Sequence, residues 1–265
     1  MNKHQESLKV QIVEPRRPKM HISPFGTNHF RRSHPWIAAW LSATIPGFGQ
    51  IYLGMHLKGL ILLSLEMLLN TFGKVNLAIL YTFTLQFEKV HQVVNYNWAL
   101  VYAAIYVFAI WDAYRVSVET NKLSFLESKQ NIRNLKSAMV NAFEINFLDK
   151  RNPWVAAVLS ASFIGLGHLY CHRLITGFTL IGWNLAIIYF THLPELIICT
   201  FTGQFQLIPS RVDYQWLMFY PSLYTFNIYD SYAATVSNNR MFEEEQIYYL
   251  NGKYGVNKLK VHQPD

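Results

Sequence analysis

Two aspartates stand in otherwise apolar stretches, Asp112 in Trp-Asp-Ala-Tyr-Arg and Asp230 in Tyr-Asp-Ser-Tyr-Ala. A carboxylate in such surroundings is a functional candidate by default, because it could bind a cation or relay a proton. The competing reading is an acid near a helix end, bonded to a nearby tyrosine or to Arg115. Thr82, Thr84 and Gln86, repeated as Thr200, Thr202 and Gln204, could line a polar path or cap a re-entrant element. Glu66 and its counterpart Asn184 suit interhelical hydrogen bonding, since contact with lipid would be unfavourable. His168, Cys171 and His172 fall within one helical turn. That spacing could hold a soft divalent metal, or form a hydrogen-bonded turn. No nucleophile–base pair, His-Glu-x-x-His string or phosphate-binding P-loop is present. Catalysis therefore lacks positive support, and no cofactor is implied.

These residues need elements to position them, and composition says in what solvent. The chain has 265 residues, 51% hydrophobic and 15% charged, with 18 Phe, 16 Tyr and 7 Trp. Soluble domains carry about 25% charged residues, so the deficit points to lipid and disfavours a large soluble core. The net charge is +7, and the 23 Lys and Arg are clustered: seven precede residue 34, six lie between 119 and 152, and four follow 237. Basic tails on a membrane protein mark cytoplasmic segments, and that reading is preferred here over nucleic-acid binding. Residues 1–33 contain no apolar run of the secretory type, and the two cysteines do not form a disulfide framework.

The architecture follows from an internal repeat. Shifted by 118 residues, Pro35–Asn121 falls on Pro153–Asn239 without a gap, and 30 of the 87 pairs are identical. The expected fold is an all-α, polytopic helical membrane protein of two tandem parallel repeats related by a pseudo-twofold axis. Each repeat offers up to four membrane segments: 35–53, 57–72, 75–94 and 98–118, with counterparts 153–171, 174–190, 195–210 and 216–236. A span needs about 20 residues, so the first and last qualify, the second is short and the third marginal. Both repeats are entered through a basic flank, which requires an even number of crossings per repeat. Either the third segment spans, or it or the first only re-enters. The expected domains are a basic cytoplasmic tail (1–33), repeat 1 (34–122), a basic linker (123–151), repeat 2 (152–240) and a polar tail (241–265). Phe125, Ile132, Leu135, Met139 and Phe143 recur at helical spacing in the linker. They predict an amphipathic helix, lying on lipid or on the protein itself. Pro15, Pro18 and Pro24 predict a mobile leader over the first 25 or so residues.

The string Pro-Trp-x-Ala-Ala-x-Leu-Ser-Ala-x-x-Pro46-Gly47-x-Gly49-Gln-x-Tyr-x-Gly54, followed by Gly59 and closed by Asp112-Ala-Tyr-Arg115, resembles the two-transmembrane-helix domain family of small bacterial membrane proteins. The second copy departs from it, with Ile164 for the proline, His168 for the glutamine and His172 for the last glycine, but it keeps Gly165, Gly167 and Gly177. The glycines let helices approach closely and turn tightly; a phosphate-cradling loop would need a strand–helix context that is missing. The resemblance implies a helical hairpin in the bacterial cytoplasmic membrane and no particular activity. The expected role is a non-enzymatic membrane scaffold or interaction subunit, meeting anionic lipid headgroups at its basic tails and linker, with a membrane-protein partner possible and no nucleic acid. The alternative is a carrier or channel for a small solute or lipid, with its path between the repeats.

Overall fold

The computed structural model describes residues 19–129, 138–140 and 144–254, and these are overwhelmingly helical. A hairpin of β1 (Met20–Ser23) and β2 (Gly26–His29) leads into α1 (Pro35–Thr44), α2 (Phe48–Tyr52), α3 (His56–Gly73), α4 (Val75–Phe83), α5 (Phe87–Val93) and α6 (Tyr96–Ser128). A second hairpin, β3 (Ala138–Val140) and β4 (Ile145–Phe147), precedes α7 (Pro153–Ser162), α8 (Leu166–Tyr170), α9 (Leu174–Thr191) and α10 (Leu193–Phe201). A short 3₁₀ turn, α11 (Ile208–Arg211) and α12 (Tyr214–Leu217) then lead to the long α13 (Tyr220–Tyr254). Each positive-φ residue of the first half, Gly47, Gly54, Lys74 and Leu85, has a positive-φ counterpart 118 residues on: Gly165, His172, His192 and Gly203.

Local chemistry sets the first break. α1 and α7 start at a proline, and the side chains of His34 and Asn152 accept from the Trp36 and Trp154 amides as N-caps. Both helices stop after ten residues, at extended Ile45 and Phe163. Gly47 and Gly165, with φ of 103° and 99°, then reverse the chain. The first segment is therefore not a span. α2 folds back along α1 so that the Tyr52 carbonyl returns to Arg31, which precedes α1. α3 runs away from that end and α6 returns to it. Between them, α4 leaves α3 at a 64° bend and the third segment breaks again before α5. By length and composition, α6 and α9 are the described helices able to cross a membrane alone, and the bent α3–α4 pair is a third.

The core lies between the halves. Phe48 and Phe226 stack with ring centroids 3.8 Å apart and planes 8° from parallel, surrounded by buried Ile51, Leu63, Met67, Leu180 and Leu223. Burying each such side chain stabilises by about 1.5–3 kcal/mol. The outer face is also apolar, with Trp40 at 72% and Phe201 at 88% exposure.

Three expectations about the polar segments are corrected. Residues 20–25, expected to be mobile, belong to the first hairpin, where Met20 and Ile22 bury against Leu148 and Met241. The linker helix is absent where it can be described: Phe125 lies on α6, Met139 lies on β3, and Ile132, Leu135 and Phe143 fall outside the described residues. Asn146 explains the extended chain, because its buried amide donates to the Ser23 carbonyl and joins the hairpins (2.8 Å). The polar tail from 241 continues α13 as far as Tyr254, held where Met241 packs beneath β1.

The glycines of α2 and α8 sit where no side chain fits. A Cβ on Gly49 would lie 2.1 Å from the Ala38 carbonyl, and one on Gly167 would lie 2.3 Å from the Ala156 carbonyl, whereas Gly182 has open space. Gly49→Ala and Gly167→Ala should each destabilise by about 1–3 kcal/mol through overpacking, while Gly182→Ala should not. Thermal unfolding of the three variants in one detergent checks this, and equal midpoints would refute the close contact.

Candidate functional site

The end of the molecule where α2 and α8 return gathers nearly all the buried charge. Asp230, on α13, has no exposed side-chain surface. Arg173 Nη1 contacts its Oδ2 at 2.6 Å and His168 Nε2 contacts the same oxygen at 3.1 Å, while Arg31 Nη1 stands 3.7 Å from Oδ1. Arg173 also crosses between the halves, donating to the Ile51 carbonyl at 3.2 Å. It sits at the N-cap of α9 with its side chain only 8% exposed. Isolated burial of either charge would be prohibitive, but mutual pairing with further hydrogen bonds makes it tolerable.

Asp112 repeats this geometry with different cations. It is equally buried and accepts from Gln50 Nε2 at 3.1 Å and from Arg115 at 3.0 Å. Lys58 Nζ lies 2.6 Å from its Oδ2, on a side chain that remains 38% exposed. Gln50 and His168 occupy equivalent positions, so the α2 or α8 side chain meets the aspartate in both halves. The two aspartates pair with their own cations and not with each other. Asp112 is ion-paired with Lys58 and Arg115 and Asp230 with Arg173, while the buried Asp230 Oδ1 accepts no hydrogen bond from the described residues.

A third polar cluster ties the halves together. Asn70 Nδ2 donates to Glu66 Oε1 and to Asn76 Oδ1, both at 3.0 Å. Gln215, from the second half, accepts from the Leu77 amide at 3.0 Å and donates to Asn70 Oδ1 at 2.8 Å. Glu66 thus bonds to Asn70 one turn along its own helix, α3, and it is Asn70 that reaches the second half through Gln215. Asn184, the counterpart of Glu66, is also buried.

The other candidates disperse. Thr82, Thr84, Thr200 and Thr202 bond to carbonyls of their own helices, and with Gln86 and Gln204 they are exposed. They do not line a seam between the halves; Thr84 and Thr202 are the C-caps of α4 and α10. His168, Cys171 and His172 do not converge on a metal. Their side chains turn to Asp230, Thr235 and the Pro24 carbonyl respectively. Among the described residues no group of three or more His, Cys, Asp or Glu could hold one. Pro46 and Gly54 belong to the turns: a Cβ on Gly54 would collide with the Asn28 side chain, while Gly59 and Gly177 face Ile51 and Leu169.

Above the Asp230 cluster, a cleft of about 590 Å³ opens between the first hairpin, the end of α6 and the middle of α13. Lys19, Arg31, Arg32 and Arg240 line it, with Tyr52, Tyr229 and Ser124. The Arg31 guanidinium lies 4.0 Å above the Tyr52 ring, a cation–π contact. Arg32 donates to Ser124 Oγ at 3.1 Å. Sequence reasoning missed this cleft, Arg173, Lys58 and Gln215. Lys58 and Arg173 are visible as lone cations just after the hairpin turns. Gln215 leaves no trace, because its partners Asn70 and Asn76 fall on Ile188 and Pro194 in the repeat alignment.

His29 closes the floor, its Nε2 2.6 Å from Ser237 Oγ. Burial, aided by Arg31, Arg173 and Lys19, lowers its pKa to about 3. The unfolded chain therefore binds a proton between pH 6.5 and 3 that the folded chain does not, so this stabilisation fades as pH falls below about 6.5. Unfolding midpoints measured from pH 7 to pH 4 should drop, and His29→Gln should flatten the profile. Arg173→Met strands the buried Asp230 and should cost about 3–5 kcal/mol, partly restored by adding Asp230→Asn. Lys58→Met, at a half-exposed site, should cost less than about 1 kcal/mol. Denaturation in detergent compares these variants, and equal losses for Arg173→Met and Lys58→Met would contradict the asymmetry. No family model, curated protein or solved structure matches this chain.

Proposed function

We propose that the chain is a multi-pass protein of the bacterial cytoplasmic membrane, built from two parallel repeats about a pseudo-twofold axis. Its work is that of a non-enzymatic scaffold or interaction subunit. One observation carries the choice of scaffold over carrier. The seam between the halves is closed by the stacked rings of Phe48 and Phe226, and the buried acids beside it are occupied by Arg173, Lys58 and Arg115.

Several features support the membrane reading. α6 and α9 are long and apolar enough to cross. Trp36 and Trp154 stand exposed on the first turns of α1 and α7, and Trp40 one turn further along α1, as interfacial aromatics do. α1 is ten residues long, about 15 Å, or roughly half the hydrocarbon depth. The α1–α2 and α7–α8 hairpins then re-enter from the cytoplasmic side, while α6, α9 and the bent α3–α4 pair cross. α13 crosses as the repeat counterpart of α6, although its own composition is too polar to mark it as a span. Each repeat crosses twice, and the tails, the linker and the basic cleft share the cytoplasmic face.

Asp112→Asn separates the two roles. Asn keeps the shape and the hydrogen bonds to Gln50 and Lys58 but removes the charge that a proton or cation path would need. The variant should reach wild-type levels in membranes and fully complement a deletion strain, with a stability loss of about 1 kcal/mol. Normal membrane abundance with lost complementation would replace the scaffold by a carrier.

A further inference from the structure

The basic cleft does not end at its charged walls. Tyr229, 40% exposed, also forms one wall of an apolar groove of about 680 Å³, made chiefly by Trp36, Ile37, Trp40, Leu41 and Ile110. The groove's polar lining is almost nil, whereas about half of the cleft surface is polar, with Lys19, Arg31, Arg32 and Arg240 outnumbering Glu243 and Glu244. The two meet at the start of α1, where Arg31 and Arg32 precede Pro35 and Trp36 by only a few residues.

The charges in the cleft are unevenly satisfied. Lys19 is ion-paired with Glu127 and Glu244, and Glu243 with Lys150. Arg31 shares Asp230 with Arg173, at the longer distance of 3.7 Å. Among the described residues, Arg32 bonds to the hydroxyls of Ser124 and Ser128 alone and Arg240 has no carboxylate partner. Two guanidiniums are thus left for an anion, and guanidinium matches phosphate oxygens with paired donors. The acids of the cleft wall are already engaged, which disfavours a zwitterionic headgroup bringing its own cation. A free phosphate would occupy only part of the cleft of about 590 Å³ and leave the groove bare.

Resting on the membrane reading above, we infer that the joined cleft and groove form a binding site for one anionic phospholipid. Its phosphate lies against Arg32 and Arg240 beside Arg31, and one acyl chain lies over Trp36, Trp40 and Ile110. The site belongs to one face only. The positions 118 residues after Arg31 and Arg32 are Asp149 and Lys150, and Lys150 is spent on Glu243.

The test is native mass spectrometry of the delipidated full chain in neutral detergent, titrated with dioleoyl phosphatidylglycerol and dioleoyl phosphatidylcholine. Phosphatidylglycerol should be retained about tenfold better, and Arg32→Gln/Arg240→Gln should remove that preference, as expected for losing charged hydrogen bonds. Both arginines are exposed, so the double variant should fold, and an unchanged unfolding midpoint verifies it. Trp40→Ser should weaken the long-chain lipid about threefold to tenfold and leave a short-chain, dihexanoyl analogue unaffected. Equal retention of the two lipids, or an unchanged preference in the arginine variant, overturns the site. Displacement by millimolar inorganic phosphate, or equal affinity for the short-chain analogue, would identify a free-anion site and overturn the lipid. Alkaline carbonate extraction of native membranes is the parallel control. Release of the protein would sink the membrane reading itself, whereas retention without lipid preference sinks the site alone.

Discussion

The buried guanidinium of Arg173 organises the molecule. One side of it neutralises Asp230 and the other donates to the Ile51 carbonyl of the opposite half. Without it, α13 would carry an uncompensated charge into an apolar core, a penalty comparable with the whole stability of a typical domain. With it, α8, α9, α13 and α2 are brought to one point, and Phe48 and Phe226 are held in register just beneath. The first half solves the same problem with Lys58, whose flexible stem lets the ammonium reach water. A compact, snorkelling cation suits the outer position and a planar donor array the inner one. The two halves have diverged at this point: the counterpart of Arg173 is Met55.

A second constraint is the short return helix. Because α1 and α7 stop after ten residues, their last carbonyls and the first amides of α2 and α8 need partners at depth. Ser42 supplies one, accepting from the Gly49 amide and donating to Gln50. Asn227 does the matching work in the second half, accepting from the Gly165 amide and donating to the Ser160 carbonyl. Tyr106 and Tyr224 donate to the carbonyls of Ala43 and Ala161. Such paired solutions fix where Gln50 and His168 point, and so where each aspartate finds its neutral partner.

Much of this is legible in the sequence, for physical reasons that differ by residue. The helical class follows from the repeat and from apolar runs broken only by glycine. Asp112 and Asp230 stand out because charge in an apolar run is rare, and Gly49 and Gly167 because small residues recur at the same offset. The tertiary partners are not legible. Arg31 reads as one more basic flank residue, although it lies over Tyr52. Asn146 reads as linker and instead fastens two hairpins. Residues 20–25 read as part of a loose leader, because a four-residue strand buries too few side chains to leave a periodic signal. Repetition itself misleads for Thr84 and Thr202, whose recurrence accompanies the matching C-caps of α4 and α10.

The bend at Lys74 carries a consequence for how the chain is made. No glycine or proline stands there, yet its φ is 54°, so the bend is not encoded by its own residue. The backbone amide freed at Leu77 is satisfied by Gln215, and Asn76 donates to the Gln215 carbonyl. Both bonds come from a residue synthesised some 140 positions later. Until then only the Asn70 side chain, which accepts from the Asn76 amide, is on hand to cap the bend. Translation order thus separates two caps: the Asn70 cap can form with the first half alone, and the Leu77 amide gains its partner only once Gln215 is made.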